Sequence, residues 1–253
     1  MKKIFVVLAI ILGLGVFIKD EAWALIVGDE ITIEDTQPVI PLSKLQLGVA
    51  ADFIRDKKFK PDTGSEKMPY NGDRLLLKVT FSPFENVNIY LKGGIGEDTL
   101  SDSHNDLKIK SEVGPAFGGG LRVNLKKWDD INMRLGLDAQ FLRFDTGIEK
   151  VTISHTDYTS VSGDFTVNQW QVACFIAKEF FQVTGYAGVD YAGSTVKYEY
   201  DTTGQKGTNK GENDNILGLL AGINIPVTNE GVIFVEGHLI DEASISLGLN
   251  TRF

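Results

Sequence analysis

The chain has 253 residues, with 25 Lys and Arg against 34 Asp and Glu, so its formal charge is −9. Hydrophobic residues make up 43% of it, which is too many for a disordered chain. The acidic balance argues against nucleic acid as a partner, and the single cysteine excludes an intrachain disulfide and any site built from several cysteines.

The N-terminus has the three parts of a secretory signal peptide. Residues 2–3 are lysines, residues 4–18 form an uncharged apolar run, and residues 22–24 offer small residues around a cleavage site. The apolar run is shorter than the roughly 20 residues of a membrane-spanning helix. We therefore predict a signal peptide over residues 1–24. The acidic residues 25–44 that follow are expected to form a periplasmic N-terminal segment.

From residue 45 onward, apolar and polar residues alternate with a period of two. The last segment is the clearest case, because Ile245, Leu247 and Leu249 alternate with Ser246 and Gly248. Such alternation is typical of a strand with one apolar face. In chain order, the alternating segments are residues 45–53, 74–82, 87–96, 116–125, 131–141, 170–177, 183–192, 217–225, 233–239 and 244–253.

The links between these segments also alternate, in length. Short links lie near residues 83–85, 126–130, 178–180 and 226–231. Long polar links span residues 55–73, 97–112, 145–164 and 193–214, while a fifth link near 241–242 is short. Short periplasmic turns and long extracellular loops are typical of outer-membrane barrels. The sequence therefore predicts an all-β fold, a closed antiparallel transmembrane β-barrel of about ten strands, with eight or twelve as alternatives.

A soluble β-sandwich or lipocalin-like barrel would also alternate, with its apolar side chains inside. The polar positions here hold mostly Gly, Ala, Asn and Gln, which suit a crowded lumen better than a wet exterior. Aromatic residues gather at both ends of the segments, as expected for two girdles at the lipid headgroups. Phe81, Phe84, Trp128, Phe180, Phe181 and Phe253 lie near the predicted periplasmic ends, and Phe53, Phe141, Trp170 and Tyr191 nearer the external ends.

Three segments carry a resemblance to a known family. They are the final strand 243–253 with its terminal Phe253, the glycine-rich segment 114–125, and residues 185–189. Residues 45–253 resemble the small OmpA-type or porin-like outer-membrane β-barrels of Gram-negative bacteria, although familiar members have eight strands. The resemblance implies an outer-membrane location among lipid and lipopolysaccharide. It also implies that Phe253 is an assembly signal for the barrel-assembly machinery. It implies no particular activity.

The sequence offers little for catalysis. His104 and His155 fall in long links, and His238 is expected in the lumen near the outer end of its strand. A catalytic triad is recognised by geometry, and no motif here matches one. The acidic link 97–112 lacks the spacing of a calcium loop and is expected to be solvated. We therefore predict no enzymatic activity, no cofactor and no metal site, and expect Cys174 to face lipid.

Charged residues at inward positions predict how the lumen is filled. The predicted lumen charges are Asp52, Arg74, Lys78, Lys92, Arg122, Arg134, Asp138, Asp190 and Glu236. Unpaired charges there would be costly, so we expect them to pair or hold water, with Asp52 and Arg74 as one pair. The preferred hypothesis is a structural or surface-interaction barrel with a largely filled polar lumen, whose long loops bind a surface ligand. The alternatives are a small porin conducting ions or small solutes and an enzyme with its site at the outer rim.

Overall fold

The structure, a computed structural model, describes residues 44–62, 67–102, 106–213, 216–228, 231–240 and 242–252. The predicted signal peptide, residues 25–43 and Phe253 lie outside the described residues. The described part contains thirteen strands and one short 3-10 helix, Asp129–Ile131, and none of its helices is long and apolar enough to cross a membrane. The strands are β1 Lys44–Pro61, β2 Met68–Phe84, β3 Val87–Asp102, β4 Leu107–Ser111, β5 Gly114–Trp128, β6 Met133–Ile153, β7 Thr156–Tyr158, β8 Ser162–Phe180, β9 Val183–Thr202, β10 Gln205–Asn213, β11 Leu217–Pro226, β12 Gly231–Leu239 and β13 Ala243–Arg252.

Ten of these strands form a closed antiparallel ring. Its order is β1-β2-β3-β5-β6-β8-β9-β11-β12-β13, and β13 returns to pair with β1 from Gln46↔Arg252 to Arg55↔Ala243. The prediction of a closed antiparallel barrel of about ten strands is confirmed. We call this part the ten-strand section, and its two ends the short-turn end and the long-hairpin end.

The long links predicted as loops are built largely as strand. β1 continues to Pro61 and β2 begins at Met68, while β9 and β10 form a hairpin that turns at residues 203–204. These extensions also alternate, but with apolar residues such as Phe59 and Val196 pointing inward. Their overall polarity hid the alternation, so the sequence predicted loops where the barrel wall continues.

The number of strands around the barrel falls beyond the long-hairpin end. There β4 takes the place of β5 between β3 and β6, and β10 pairs with β1 directly, from Phe59↔Asn213 to Pro61↔Gly211. The ring at this level is β1-β2-β3-β4-β6-β8-β9-β10, which we call the eight-strand section. The hairpin of β12 and β13 ends below it, so the barrel loses two strands along its length.

The two faces of the ten-strand section differ sharply. Its outward side chains are apolar and exposed, including Leu77, Leu91, Val172, Val189 and Leu219. The outward aromatic residues include Phe53, Phe117, Phe141, Trp170 and Tyr191 near the junction with the eight-strand section, and Phe81, Phe84 and Phe180 near the short-turn end. The wall therefore carries an apolar band with aromatic residues towards both of its edges.

Glycines on the inward face make room for aromatic rings. Tyr90 lies over Gly120 of the neighbouring strand, and Phe234 lies over Gly248 in the same way. A Cβ at Gly248 would overlap the Phe234 ring and lie 2.6 Å from the carbonyl oxygen of Val49. The polar face is rich in glycine because large inward rings need this space.

Candidate functional site

The interior of the eight-strand section is an apolar core, which we call the outer core. Its side chains come from eight strands, β1 to β6, β8 and β9, and are at most 7% exposed. They include Phe59, Met68, Tyr70, Leu100, Ile109, Phe144, Ile148, Val151, Phe165, Val167, Val196 and Tyr198. The sequence predicted a polar lumen and missed this core. Leu76 is an apolar residue at an inward position of its strand, where the alternation expects a polar one, and it is 2% exposed. This exception could have predicted an apolar interior.

A buried ion pair lies between the outer core and the lumen below. Arg74 contacts Asp98 at 3.2 Å, the Tyr70 hydroxyl donates to Asp98 at 2.6 Å, and Arg74 donates to Gln169 at 2.7 Å. Two expectations were wrong here. Asp98 is fully buried in β3 rather than in a solvated link, and Arg74 and Tyr70 both contact its Oδ2. Arg74 is the cross-strand neighbour of Asp52, but its salt bridge is with Asp98.

The lumen of the ten-strand section holds a cavity of about 170 Å³. Seven of the nine predicted lumen charges border it, namely Asp52, Arg74, Lys78, Lys92, Arg122, Asp138 and Glu236. The other two, Arg134 and Asp190, are buried at 6% and 2% exposure without bordering it. Towards the short-turn end, Gln46, Thr80 and Asn250 are also buried. Side chains therefore occupy the barrel on both sides of the cavity.

One half of the cavity wall is organised around Tyr90 and Asp138. The Tyr90 hydroxyl donates to Asp138 at 2.8 Å, and Arg122 Nε donates to the other carboxylate oxygen at 2.9 Å. The ammonium groups of Lys78 and Lys92 lie 3.9 Å and 5.5 Å from the centre of the Tyr90 ring. Cations at such distances are attracted by the ring face, so Tyr90 holds both lysines inside the lumen.

The other half is a chain of hydrogen bonds across four strands. Lys92 donates to Gln140 at 2.7 Å, Gln140 donates to Gln171, and Gln171 donates to Asp190 at 2.9 Å. Gln171 also lies 3.3 Å from His238 Nδ1. The alternation predicted these glutamines on the inward face, but they were not among the predicted lumen charges. They link the charged groups that the sequence did single out.

His238 has both ring nitrogens engaged. Nε2 lies 2.9 Å from Glu236, which also accepts a hydrogen bond from the Tyr186 hydroxyl at 2.7 Å. With Gln171 on Nδ1, neither nitrogen is directed at a nucleophilic side chain. Of the other histidines, His155 contacts Asp106 at 2.8 Å in an exposed turn, and His104 lies outside the described residues. Within the described ranges, no group of three or more His, Cys, Asp or Glu could hold a metal ion.

A salt bridge lies where the wall changes from ten strands to eight, a place we call the seam. β1 pairs with β13 up to Arg55 and with β10 from Phe59. Between these points, Lys57 Nζ contacts Glu242 at 2.6 Å, and both side chains border the cavity. Burial opposes ionisation of Glu242, but the Lys57 ammonium overcomes it and lowers the pKa of Glu242 to about 2. Residues 55–73 were predicted as a loop, so Lys57 was not among the predicted lumen charges.

Comparisons with known proteins give only structural likenesses. No protein-family model matches the chain, and no curated protein sequence matches it either. The structure is similar to the translocator domain of the autotransporter NalP from Neisseria meningitidis, with 14% identity over 83% of this chain and 88% of that one, and a TM-score of 0.48. It is also similar to the outer membrane protease OmpT from Escherichia coli, with 12% identity over 83% and 96% of the chains and a TM-score of 0.42.

A third similar structure is Ail, the attachment invasion locus protein of Yersinia pestis. Its identity is 14% over 83% of this chain and 97% of that one, with a TM-score of 0.34. These solved structures are outer-membrane β-barrels. Because the identities and TM-scores are low, the likenesses carry no argument about what this chain does.

Proposed function

We propose that this chain is an integral outer-membrane β-barrel. The support is the exposed apolar band around the ten-strand section, flanked by aromatic residues at both edges. The strands that span only this band, β11 to β13, have 9 or 10 residues, which is the length of a transmembrane strand. In this proposal the short turns face the periplasm and the eight-strand section projects from the cell. Lipid, lipopolysaccharide and the barrel-assembly machinery are its partners.

Spin labels test the membrane assignment. Single cysteines at 245, 247 and 249 in a Cys174→Ser background should be broadened by oxygen dissolved in the bilayer. Labels at 246, 248 and 250 should be protected, because these positions face the lumen. The opposite pattern would contradict the proposal, since it would put the apolar face inside.

We further propose that the barrel does not conduct and acts through its projecting part. The observation that carries this is the outer core, where large side chains fill the eight-strand section. A core of this kind closes a pore and makes the projecting part rigid, which suits a surface for binding a ligand. This favours a structural or surface-interaction role over the porin alternative. No catalytic activity is proposed, because neither ring nitrogen of His238 is directed at a nucleophilic side chain among the described residues.

Planar-bilayer conductance tests the closed lumen. The folded wild type should show no steady openings. A variant with Phe59, Phe144 and Phe165 all changed to Gly removes the centre of the outer core and should conduct. The same triple change to Leu keeps the core filled and is the matched control. Steady openings of the wild type would return the porin alternative to first place.

Membership of the OmpA-type family and the assembly role of Phe253 remain predictions. Deleting Phe253 should lower the amount of barrel in the outer membrane and leave chain in the periplasm. Its effect on folded stability should be at most a few kcal/mol, because one aromatic side chain at a strand end is removed. Normal surface levels of the deletion would contradict the assembly role.

A further inference from the structure

The side chains that border the lumen cavity include more cations than carboxylates. Five cationic side chains border it against four carboxylates. Three of those carboxylates already have cationic or histidine partners at 2.6 to 2.9 Å, namely Asp138 with Arg122, Glu236 with His238, and Glu242 with Lys57. The fourth carboxylate is Asp52. Three of the five cations are engaged as well, namely Lys57 with Glu242, Arg74 with Asp98, and Arg122 with Asp138.

Two lysines face each other within this wall. Lys78 and Lys92 are direct cross-strand partners on β2 and β3, and like charges in that position repel. The oxygen that Lys92 contacts, at 2.7 Å, belongs to the neutral amide of Gln140. The Tyr90 ring face also attracts the Lys92 ammonium, but the ring carries no charge. An added negative charge near Lys92 would therefore be favourable.

Buried donors border the same cavity without a partner. Arg74 Nε and Ser194 Oγ make no hydrogen bond, although their residues are only 4% and 3% exposed. They lie near each other, since Gln169 accepts from Arg74 and is the cross-strand neighbour of Ser194. Unsatisfied buried donors raise the free energy of the folded state, and an acceptor that enters the cavity would lower it.

We propose that the lumen cavity binds a compact oxyanion, a free phosphate or a small carboxylate, with Lys92 as its main charged contact. Arg74 supplies a further donor from β2, and Ser194 supplies one from β9 on the opposite side of the cavity. A volume of about 170 Å³ holds several water molecules, and a small anion could take the place of some of them. Because the barrel wall surrounds the cavity, the ligand is a free solute and not a lipid headgroup. This binding site is independent of the proposed surface role.

Isothermal titration calorimetry of the folded barrel in a zwitterionic detergent at low chloride tests the site. The probes are inorganic phosphate and acetate, and at least one should bind saturably. Lys92→Met should weaken binding about tenfold or more, since a charge-assisted hydrogen bond is lost, and Lys92→Arg should retain it. Ser194→Ala should weaken binding about two- to tenfold.

Lys197→Met is the matched control, because it makes the same change on the exposed outward face of β9. Its binding should equal that of the wild type. Heat-dependent gel mobility verifies that each variant is folded, and Ser194→Ala keeps the test informative if Lys92→Met does not fold. The proposal is overturned if neither anion binds. It also fails if folded Lys92→Met binds as the wild type does, or if Lys197→Met loses binding equally.

Discussion

The eight-strand and ten-strand sections are continuous pieces of one wall, yet their faces have opposite polarity. Along β8, the inward residues Phe165 and Val167 give way to Gln169 and Gln171, while the outward residue Asn168 is followed by Trp170. The reversal lies beside the aromatic residues at the edge of the apolar band. A barrel in water buries its apolar face inside, and a barrel in lipid exposes it. Strand β8 therefore follows both rules in turn.

Strand number helps to explain the difference in filling. Barrel diameter grows with the number of strands, and about eight strands leave just enough room for side chains to fill the interior. Large apolar side chains meet in the eight-strand section and close it. The wider ten-strand section is spanned instead by hydrogen-bonded polar groups, and a cavity remains between them.

The largest expected effect lies in the outer core. Phe144→Ala should lower the free energy of unfolding by about 3–5 kcal/mol, because the fully buried ring leaves a cavity. Urea unfolding of the barrel in lipid vesicles measures it. Thr99→Ala, on the outward face of the same section, should change stability by less than about 0.5 kcal/mol. Equal effects of the two changes would mean that the outer core does not hold this section together.

A charge moved along β8 tests where the polarity reverses. Val172→Arg places a cation in the apolar band and should cost about 2–4 kcal/mol in a bilayer. Asn168→Arg, four residues away on the same outward face, should cost less than about 0.5 kcal/mol because it lies in water. The same vesicle unfolding assay applies. If Val172→Arg were tolerated as well as Asn168→Arg, the band would not be embedded in lipid.

Substitutions at two glycines compare the inward and outward faces of the ten-strand section. Gly248→Val should cost about 1–3 kcal/mol, because the new side chain meets the Phe234 ring and the backbone of β1. Gly93→Val faces outward with no atom within 4 Å of its added Cβ, so it should be tolerated. Urea midpoints of both variants measure the difference. A larger loss at Gly93 would reverse the assignment of the faces.

The salt bridge between Lys57 and Glu242 at the seam should stabilise the barrel less at low pH. The pKa of Glu242 falls from its ordinary value of 4.5 to about 2 in the folded barrel. Its stabilisation is therefore complete well above pH 4.5 and is lost as the pH falls towards 2. Relative to Glu242→Gln, the wild type should lose about 1 kcal/mol of its advantage between pH 7 and pH 4. Unfolding of both proteins across this range measures it, and a constant difference would show that the pKa of Glu242 is not lowered at the seam.

The alternation of residues 45–53 and 244–253 was enough to predict the strands that close the ring, because one apolar face leaves a period that is easy to read. The hairpins beyond it were missed, since charges on their outward face disguised inward residues such as Phe59. The inward charges could be placed by parity alone. Their partners could not, because Asp52 and Asp98 lie on the two strands that flank Arg74, and the side-chain conformation of Arg74 decides that it pairs with Asp98.

β1 has two successive neighbours on one edge, first β13 and then β10. The contact between Phe59 and Asn213 fixes how far apart β1 and the β10–β11 edge can lie below it. That distance corresponds to two strands, and the hairpin of β12 and β13 occupies it. The pairing of β1 with β10 thus limits how many strands the C-terminal end of the chain can supply here. Relatives of this protein could lengthen or shorten their other hairpins freely. A change in the number of strands between β1 and β11 would require a different pairing of β1 with β10.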